Sequence, residues 1–360
     1  MDAILLTTQV DIEYYTGFKT QFFQSPTRPW YVLIPSSNKP KAIIPTIGES
    51  GMRGTWIDDI QTWTSPNPED DGISLLLSTI KSLTKQHKCL GVPKSQESVL
   101  RMPLDDYENL VKSLDGIEIR DANKILRQVR LIKSTAEIDK IRHICQLVSQ
   151  GFKDLTHLLK AGESEQENCK RFKQHLLSLG VDDTPYMVAG SGKDGYGSII
   201  MGPGDKIIEE GDLFIVDTGS VFDSYFCDFD RNYAFGFICD EAKKAYKVVF
   251  DATDAGFSAA QVGHTTSDVY HAMNDVMQKG GALGNSVGRL GHGLGLQLTE
   301  WPSNTATDNT ILEPGVILTL EPGMEYLPGK EMVHEENIVI TENGPEWLTD
   351  RAPEELPIIQ

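Results

Sequence analysis

The sequence is short of basic residues. It has 33 lysines and arginines against 52 aspartates and glutamates, and its formal net charge is −19. Nucleic-acid-binding proteins need a basic surface, and anionic membranes attract basic segments. We therefore expect neither nucleic acid nor a membrane as a partner. An acidic surface keeps a protein in solution and leaves its fold unrestricted.

Cysteine is also scarce, and its pattern offers no pairs. The five cysteines show no CxxC spacing: Cys89, Cys145, Cys169, Cys227 and Cys239. This usage is typical of a cytosolic protein with free thiols. The opening MDAILLTTQVDIEYYTG has no basic region and too short an apolar run for a signal peptide, and no stretch approaches the length of a transmembrane helix. We expect a cytoplasmic protein.

Apolar residues make up 39% of the 360 residues, enough for one large domain or two ordinary ones. Toward the N-terminus, short apolar runs alternate with helical patterns, which indicates an α/β domain. We place it at residues 1–128, and nothing in it resembles a catalytic motif. The predicted strands are 3–7, 30–35, 41–45, 89–92 and 117–120, and the predicted helices are 73–87 and 103–114.

The remaining residues, 129–360, begin with helices that carry clear start signals. Ser134 and Ser164 are each followed three residues later by glutamate, the pattern of a capping box. Helical periodicity follows each box and returns twice further along the chain. The predicted helices are 134–159, 164–180, 240–257 and 266–280.

Between these helices, the stretch Phe214–Gly236 predicts a β-hairpin. An apolar run ends at Asp217, residues 218–220 break it, and a second run leads into Asp228, so the hairpin is expected to bring the two aspartates together at one end. A carboxylate at the end of a buried strand is costly unless it is paired or bound to a cation. Two carboxylates that face each other also repel, and a divalent cation is the usual remedy.

Further polar residues lie in apolar surroundings downstream. His292 lies in GRLGHGLGLQL, Glu321 in GVILTLEPGM, and Glu335 and Glu336 in MVHEENIVIT. One imidazole with several carboxylates suits Mn²⁺, Zn²⁺, Co²⁺ or Fe²⁺, and five ligands are enough for two adjacent ions. The residues therefore predict two divalent metal ions and leave open which of the neighbouring glutamates is the ligand.

The order of these motifs resembles that of the pita-bread metallopeptidases of family M24. Asp217, Asp228 eleven residues on, Arg231, HGxG, LEPG and EENxVxT are similar to motifs of methionine aminopeptidase, Xaa-Pro aminopeptidase (prolidase) and creatinase. VDIEYYTGF resembles the opening of creatinase-type N-terminal domains. The resemblance implies an α+β protein, with a small α/β domain before a catalytic domain built on a curved antiparallel sheet. It also implies a homodimer.

The resemblance further implies roles for individual residues. Glu335 is favoured over Glu336 because the family ligand usually lies six residues before a threonine, here Thr341. Glu321 is implied to be both a ligand and the general base that takes a proton from a metal-bridging water. The implied metal ligands are Asp217, Asp228, His292, Glu321 and Glu335.

Three histidines that usually surround the metals in these peptidases are absent. The corresponding positions lie near Tyr196 and at Gly288 and Thr299. Asp230 stands where a threonine is usual in the family. Because side chains alternate along a strand, Asp230 should lie on the same face as Asp228 and so near the metals. The alternative is that it forms a salt bridge with a neighbouring arginine. Because histidine is the usual proton-transfer group near neutral pH, the lack of histidine at these three positions weakens the expected peptidase chemistry. The predicted catalytic residues are Glu321, Asp230 and Tyr196.

The predicted function is a metal-dependent hydrolase of short peptides or small molecules, similar to Xaa-Pro aminopeptidase and dipeptidase. The EWP sequence at residues 300–302 also resembles dimethylsulfoniopropionate lyases of this superfamily, and a small-amide hydrolase similar to creatinase or ectoine hydrolase is a third reading. A non-enzymatic binding module is disfavoured because the ligand set is intact. The glycine-rich run 189–197 lacks phosphate-loop spacing and predicts a flexible loop at the site mouth.

Overall fold

The computed structural model describes residues 1–284 and 288–360. The chain forms two compact units, Met1–Val129 and Arg130–Gln360. Both units combine helices with strands, which confirms the predicted α+β class. None of the described helices is long and apolar enough to cross a membrane.

The N-terminal unit is built on a six-stranded sheet. Its strands are β1 Ala3–Leu6, β2 Tyr31–Pro35, β3 Lys41–Pro45, β4 Asp59–Trp63, β5 Cys89–Val92 and β6 Glu118–Asp121. The helices are α1 Gln9–Thr16, α2 Glu49–Arg53, α3 Ile73–Leu83, α4 Leu104–Ser113 and α5 Asn123–Leu131, with 3₁₀ turns at Gln21–Gln24 and Thr46–Gly48. The strand order is β4-β3-β2-β1-β5-β6, in which β2 pairs antiparallel with both its neighbours and the other pairs are parallel.

Both faces of this sheet are covered, which explains why its central strands β1 and β2 are nearly continuous apolar runs. Leu5 and Leu33 pack with α3 and α4 on one face. Their neighbours Leu6 and Val32 pack with α1 and α2 on the other, because successive side chains of a strand alternate. The sequence prediction misses β4, whose half-buried sequence DIQTW is mainly polar and carries little apolar signal.

The C-terminal unit carries the longer strands and helices. Its strands are β7 Asp183–Lys193, β8 Asp212–Phe222, β9 Tyr225–Phe235, β10 His292–Gly293, β11 Glu300–Ser303, β12 Ile317–Leu320, β13 Gly323–Leu327, β14 Lys330–Val333, β15 Glu336–Thr341, β16 Gly344–Trp347 and β17 Ile358–Ile359. Its helices are α6 Thr135–Leu158, α7 Glu165–Leu179, α8 Asp240–Ala259 and α9 Thr266–Gly280. Within the described residues, the strands form the sheets β17-β9-β8-β7, β11-β10-β12-β15-β16 and β13-β14.

The helices begin where the sequence predicts. Ser134 and Ser164 both form complete capping boxes, in which each serine accepts from the backbone N–H of a glutamate three residues on. Gly180 ends α7 with a φ of 105°, a conformation that a side chain disfavours. α6 packs against β8 and β9, α7 against β7, and α8 against β12, β13 and β14, so the helices cover the outer sides of the sheets.

The central hairpin is longer than the sequence prediction. Residues 218–220 do not break β8, which continues to Phe222. The turn is Asp223–Ser224, whose φ angles of 45° and 71° are typical of a two-residue hairpin turn. Thr218 and Ser220 remain in the strand because its backbone pairs here with both β7 and β9, and their buried hydroxyls hydrogen bond to each other at 3.1 Å.

This register changes where the aspartates lie. Asp217 is directly opposite Asp230, and Asp228 is directly opposite Gly219. The expectation that Asp217 and Asp228 meet at the end of the hairpin is therefore wrong. Both lie in the middle of their strands, where the paired backbone fixes their separation.

The side chain of Asn337 joins the two larger sheets. Asn337 lies in β15 and Asp228 in β9. The Asn337 Oδ1 accepts a hydrogen bond of 3.0 Å from the Asp228 N–H, and its Nδ2 donates to the Asp228 carbonyl oxygen. Because Asn337 is fully buried, this amide sets the position of Asp228 relative to the strand that begins just after Glu335.

Replacing this side chain tests its importance for the fold. Asn337→Ala leaves the Asp228 N–H and C=O buried without partners, so we expect a loss of about 2–5 kcal/mol in the free energy of unfolding. Urea unfolding measures the change, with the exposed Asn309→Ala as the matched control. A loss below about 0.5 kcal/mol, the usual range for a surface substitution, contradicts the role assigned to Asn337.

Candidate metal centre

The β8–β9 hairpin places three aspartates on one face. Opposite residues of an antiparallel pair share a face, and so do residues two apart on one strand. Asp217 lies opposite Asp230, and Asp228 is two residues before Asp230. Asp228 and Asp230 are buried, whereas Asp217 is half-buried. The sheet therefore crowds three carboxylates onto one surface.

The five-stranded sheet supplies the other polar groups. His292 lies in β10, Glu335 immediately precedes β15, and Glu321 follows β12. Single ligand atoms of Asp228, His292 and Glu335 all lie within 4.8 Å of one another, and the three side chains are buried. Asp217 and Glu321 are half-buried, and after burial their charges act to raise the pKa values of Asp228 and Glu335, so they belong to the same group of carboxylates.

His292 is oriented as a metal ligand would be. Burial first, and the charge of Arg289 second, lower its pKa to about 4, so the ring is neutral at pH 7. Its Nδ1 lies 2.9 Å from the Gly293 carbonyl oxygen, which only accepts, so Nδ1 carries the hydrogen and Nε2 has a free lone pair. Nε2 then faces Asp228 Oδ2 at 3.5 Å, so these two atoms need either a proton on the carboxyl group or a cation between them.

Burial raises the pKa of each carboxyl group in this cluster. It raises that of Glu321 to about 7, and burial together with the charge of Glu321 raises that of Asp217 to about 8. Burial and then neighbouring carboxylates raise the pKa values of Asp228 and Glu335 well above their ordinary range. A cation reverses this effect because it favours the ionised form.

Three oxygen atoms of the cluster lack partners. Asp217 Oδ1, Asp228 Oδ1 and Glu335 Oε1 are buried, and none accepts a hydrogen bond within the described residues. Buried polar atoms are normally bonded, so these three need an explanation. Carboxylate oxygens with one neutral imidazole suit Mn²⁺, Zn²⁺, Co²⁺ or Fe²⁺. The residues present therefore fit a divalent-metal centre.

Glu336 faces away from this cluster. Its carboxylate pairs with Arg231 at 3.0 Å and with Arg351 at 3.1 Å. Burial acts to raise the pKa of Glu336, but the charge of Arg231 and further cationic partners hold it well below the ordinary range. Neighbours on an extended chain point to opposite sides. The structure thus places Glu335 among the unpaired carboxylates and gives Glu336 its own counter-charges.

Arg231 ties the sheets together behind the cluster. Its guanidinium donates to the carbonyl oxygens of Asp230 (2.6 Å), Glu335 (3.2 Å) and Asp350 (2.6 Å), and it is almost wholly buried. In the sequence, Arg231 stands out only as part of the motif that follows Asp228. Its position one residue after Asp230 is the sequence signal for its role, because adjacent side chains of a strand point to opposite faces.

The carboxylate of Asp230 remains on the cluster face. Burial and the charge of Asp217 raise its pKa well above the ordinary range. Its nearest described hydrogen-bond partner is Asn232 Nδ2 at 3.5 Å. Arg231 contacts only its carbonyl oxygen, and among the described residues Asp230 forms no salt bridge. The alternative prediction, a salt bridge between Asp230 and a neighbouring arginine, is therefore not found among the described residues.

The hydroxyl of Tyr196 is committed to structural hydrogen bonds. It accepts from the Val333 N–H at 2.9 Å and donates to Asn232 Oδ1 at 3.0 Å. Asn232 Nδ2 in turn donates to the Val333 carbonyl oxygen at 2.7 Å, and the Tyr196 ring is buried. These bonds hold β14 beside β9, which favours a positioning role for Tyr196 over the predicted catalytic role.

The loop that follows β10 is anchored by a buried salt bridge. Glu300 pairs with Arg130 and, at 3.1 Å, with Lys133. Burial acts to raise the pKa of Glu300, but these two cations lower it, so its charge is fully matched. Within the same loop, Leu298 packs directly over Gly219, where an added Cβ would lie 2.1 Å from Leu298 Cδ1. An apolar side chain thus covers the strand position opposite Asp228.

The glycine-rich run 189–197 is more ordered than predicted. Residues 189–193 form the end of β7 and pair with β8. The following turn is held by Tyr326, which donates to the Asp194 carbonyl oxygen, and by Lys330, which donates to that of Gly195 at 2.9 Å. The predicted flexible loop is therefore wrong for this part. Glycine serves close packing instead, since a Cβ on Gly192 would lie 2.3 Å from the Gly195 oxygen.

The raised pKa values predict that the metal-free protein is less stable at higher pH. The pKa of Asp217 rises from 3.8 to about 8 on folding and that of Glu321 from 4.5 to about 7. Because folding favours the protonated forms, their stabilising contribution is present below about pH 4 and is lost as the pH rises through about 7 to 8. We expect the Tm of the metal-free protein to fall over this range.

Added Mn²⁺ should raise the Tm more at pH 8 than at pH 5, because the ionised carboxylates bind it. Differential scanning calorimetry with and without Mn²⁺ measures both effects. Asp217→Asn should flatten the pH dependence, whereas Asp205→Asn, which changes an exposed carboxylate, should leave it unchanged. A Mn²⁺-induced shift that is the same at both pH values contradicts this assignment.

The chain is similar to known proteins over its full length. The family model for metallopeptidase family M24 matches residues 139–342, more than half of the chain, and the model for the creatinase/prolidase N-terminal domain matches residues 1–132. An uncharacterized peptidase, YqhT, of Bacillus subtilis (strain 168) is 28% identical over 366 residues, covering 100% of this chain and 96% of that protein. An uncharacterized peptidase of Staphylococcus aureus (strain bovine RF122 / ET3-1) is 27% identical and covers 97% of this chain and 94% of that protein.

Solved structures agree with this assignment. A recombinant prolidase from Thermococcus sibiricus superposes with a TM-score of 0.88 at 24% identity, covering 99% of this chain and 94% of that chain. An Xaa-Pro dipeptidase from Bacillus anthracis superposes with a TM-score of 0.84 at 25% identity, covering 99% and 95%. The predicted pita-bread fold and superfamily are confirmed. The chain belongs to metallopeptidase family M24, whose members are peptidase-type hydrolases that use divalent metal ions.

Proposed function

We propose that this protein hydrolyses Xaa-Pro dipeptides and related short substrates with the help of two divalent metal ions. The observation that carries the proposal is the convergence of unpaired carboxylates from two sheets. Ligand atoms of Asp228 in the hairpin and of His292 and Glu335 in the second sheet lie within 4.8 Å of one another, and each carboxylate keeps one buried oxygen that has no partner among the described residues. The names of the similar structures, prolidase and Xaa-Pro dipeptidase, support the substrate class.

Five side chains are proposed to hold the ions: Asp217, Asp228, His292, Glu321 and Glu335. The more buried Asp228, His292 and Glu335 form the inner part of the site, and the half-buried Asp217 and Glu321 form the part that substrate reaches. Bound ions lower the pKa of coordinated water and polarise a scissile carbonyl group. The protein's own contribution is to fix the ligands in place and to move protons.

Glu321 is the proposed general base. A catalytic acid or base works best when its pKa lies near the working pH, and burial raises that of Glu321 to about 7 in the protein itself. Its half-buried carboxylate lies on the open side of the cluster, where a substrate proton can be exchanged. Tyr186 of β7 lies opposite Gly219 of β8; burial raises the pKa of the neighbouring Asp217, and the Tyr186 side chain acts to lower it.

The three missing histidines limit the rate that this site can reach. The Tyr196 hydroxyl is occupied by Asn232 and Val333, and Thr299 accepts a hydrogen bond from Arg289. Neither group replaces a histidine that protonates a leaving amine. Removing one such transition-state donor typically costs about 100- to 1,000-fold in rate. Slow hydrolysis of small substrates therefore fits this arrangement better than efficient general peptidase activity.

Metal content tests the proposed ligand set. Protein loaded with Mn²⁺ or Zn²⁺ and desalted should retain about two ions per chain by elemental analysis. Glu335→Gln should lose most of this metal because a carboxylate ligand is removed, whereas Glu331→Gln, a half-buried glutamate outside the cluster, should retain it. Wild-type protein without metal above background contradicts the proposal, and so does full retention in Glu335→Gln. Light scattering on the same samples tests the homodimer that the family resemblance implies.

A substrate panel tests the reaction. We expect Xaa-Pro dipeptides to be hydrolysed with a kcat/KM below about 10⁴ M⁻¹s⁻¹, at the lower end of ordinary enzymes. Glu321→Gln should reduce kcat by about 100-fold or more, the usual contribution of a general base. Dimethylsulfoniopropionate, creatine and ectoine belong in the panel, because turnover of one of these in place of every dipeptide overturns the proposed substrate class. Full activity in Glu321→Gln overturns its role as base.

A further inference from the structure

A cavity of about 260 Å³ lies in the C-terminal unit, on the side of β9 that faces away from the carboxylate cluster. Arg231 and Tyr233 of β9 line it, and along the strand they alternate with Asp230, which lies on the cluster face. Phe152 and Thr156 of α6 form a second wall. The proposed hydrolysis makes no use of this space.

The C-terminal segment 350–357 forms the roof of the cavity and is tied to the elements below it. The Pro357 carbonyl oxygen accepts a hydrogen bond of 2.8 Å from the Ala234 N–H. The Pro353 carbonyl oxygen accepts one of 2.7 Å from the hydroxyl of Tyr246 in α8. Both prolines line the cavity, and their rings restrict the local backbone. The cavity is therefore shaped by the fold itself.

The walls of the cavity are mainly aromatic. The rings of Phe152, Tyr233 and Tyr246 line it and are buried. The Phe152 ring is held in turn by Phe172 and Phe229, at centroid distances of 4.9 and 5.2 Å. A cavity with apolar walls binds apolar molecules, and an engineered cavity of about 150 Å³ holds benzene. The larger volume here has room for a molecule of two fused rings.

The charged groups around the cavity are matched within the protein. Arg231 and Arg351 pair with Glu336 at 3.0 and 3.1 Å. Lys153 pairs with Asp350 at 2.5 Å, where both side chains are exposed. A charged ligand would lose its hydration here without gaining an unpaired counter-charge, which costs far more than the burial of a neutral group. The cavity therefore favours a neutral ligand.

Three hydroxyl groups that line the cavity are already used as donors. Each donates to a main-chain carbonyl oxygen, at 3.0, 2.7 and 2.9 Å respectively: Tyr233, Tyr246 and Thr156. A hydroxyl oxygen that has donated its hydrogen can still accept one. A ligand that supplies an N–H or O–H group matches these oxygens better than a ligand that only accepts.

We propose that this cavity binds a neutral, planar aromatic molecule of one or two rings that carries an N–H or O–H group. The inference is independent of the proposed hydrolysis. The aromatic walls supply contact area, the matched charges exclude ions, and the hydroxyl oxygens accept the hydrogen of the ligand. The bound molecule lies against Arg231, whose guanidinium donates to the carbonyl oxygens of Asp230 and Glu335. The site is thus directly behind the proposed metal centre and separate from it.

Calorimetry on the full-length protein tests the site, with indole as the probe. Indole has two fused rings, one N–H and no charge, and we expect a Kd of about 1 mM or lower, within the range for a ligand of its size. Benzofuran, in which an oxygen replaces the N–H, should bind about 2- to 10-fold more weakly because one hydrogen bond is lost. Indole-5-carboxylate should bind at least about 10-fold more weakly because its charge is buried without a partner. A Kd for indole above about 1 mM overturns the proposal, and so does equal affinity for either analogue.

Substitutions locate the bound probe. Thr156→Phe adds a ring to the cavity and should weaken indole binding at least about 10-fold, because a packed interior leaves no room for a second ring. Thr156→Met fills less space and replaces this variant if it fails to fold. The exposed Thr307→Phe should keep the affinity, and so should Glu321→Gln, which changes the cluster on the other side of β9. Full affinity in the Thr156 variant, or lost affinity in Glu321→Gln, places indole elsewhere and overturns the proposal.

Discussion

Crowding of like charges in the interior is the constraint on which the C-terminal unit depends. The hairpin register fixes Asp217 opposite Asp230, and Asn337 fixes the Asp228 backbone against the second sheet, close to Glu335. These carboxylates cannot separate without breaking backbone pairing. Each buried charge costs several kcal/mol unless it is compensated, and mutual repulsion adds to that cost. The group must therefore either take up protons or bind cations, so the affinity for metal follows from the sheet geometry itself.

The alternation of side chains along the strands places the charged residues on two faces, and the two sets have different roles. Asp230 and Arg231 are neighbours in the chain, as are Glu335 and Glu336, yet each pair splits between the two faces. On one face Glu336 meets Arg231 and Arg351, and these charges are satisfied within the protein. On the other face the carboxylates are left open for a ligand. The satisfied set also donates to the backbone of Asp230 and Glu335, so it holds the open set in position as a rigid support.

Features that depend on nearby residues can be predicted from this sequence, whereas contacts between residues far apart in the chain cannot. The capping boxes at Ser134 and Ser164 and the residues that belong to the cluster can be found from sequence, because each depends on near neighbours or on a short motif. The sequence prediction places the hairpin turn too early because Thr218 and Ser220 resemble strand-breaking residues. In the structure both lie within the strand, and their buried hydroxyls hydrogen bond to each other. The role of Asn337 depends on Asp228, 109 residues away, and no local signal reports that contact. The same holds for Tyr196, which is predicted to be catalytic. No local pattern in the sequence indicates that its hydroxyl accepts a hydrogen bond from a distant backbone N–H.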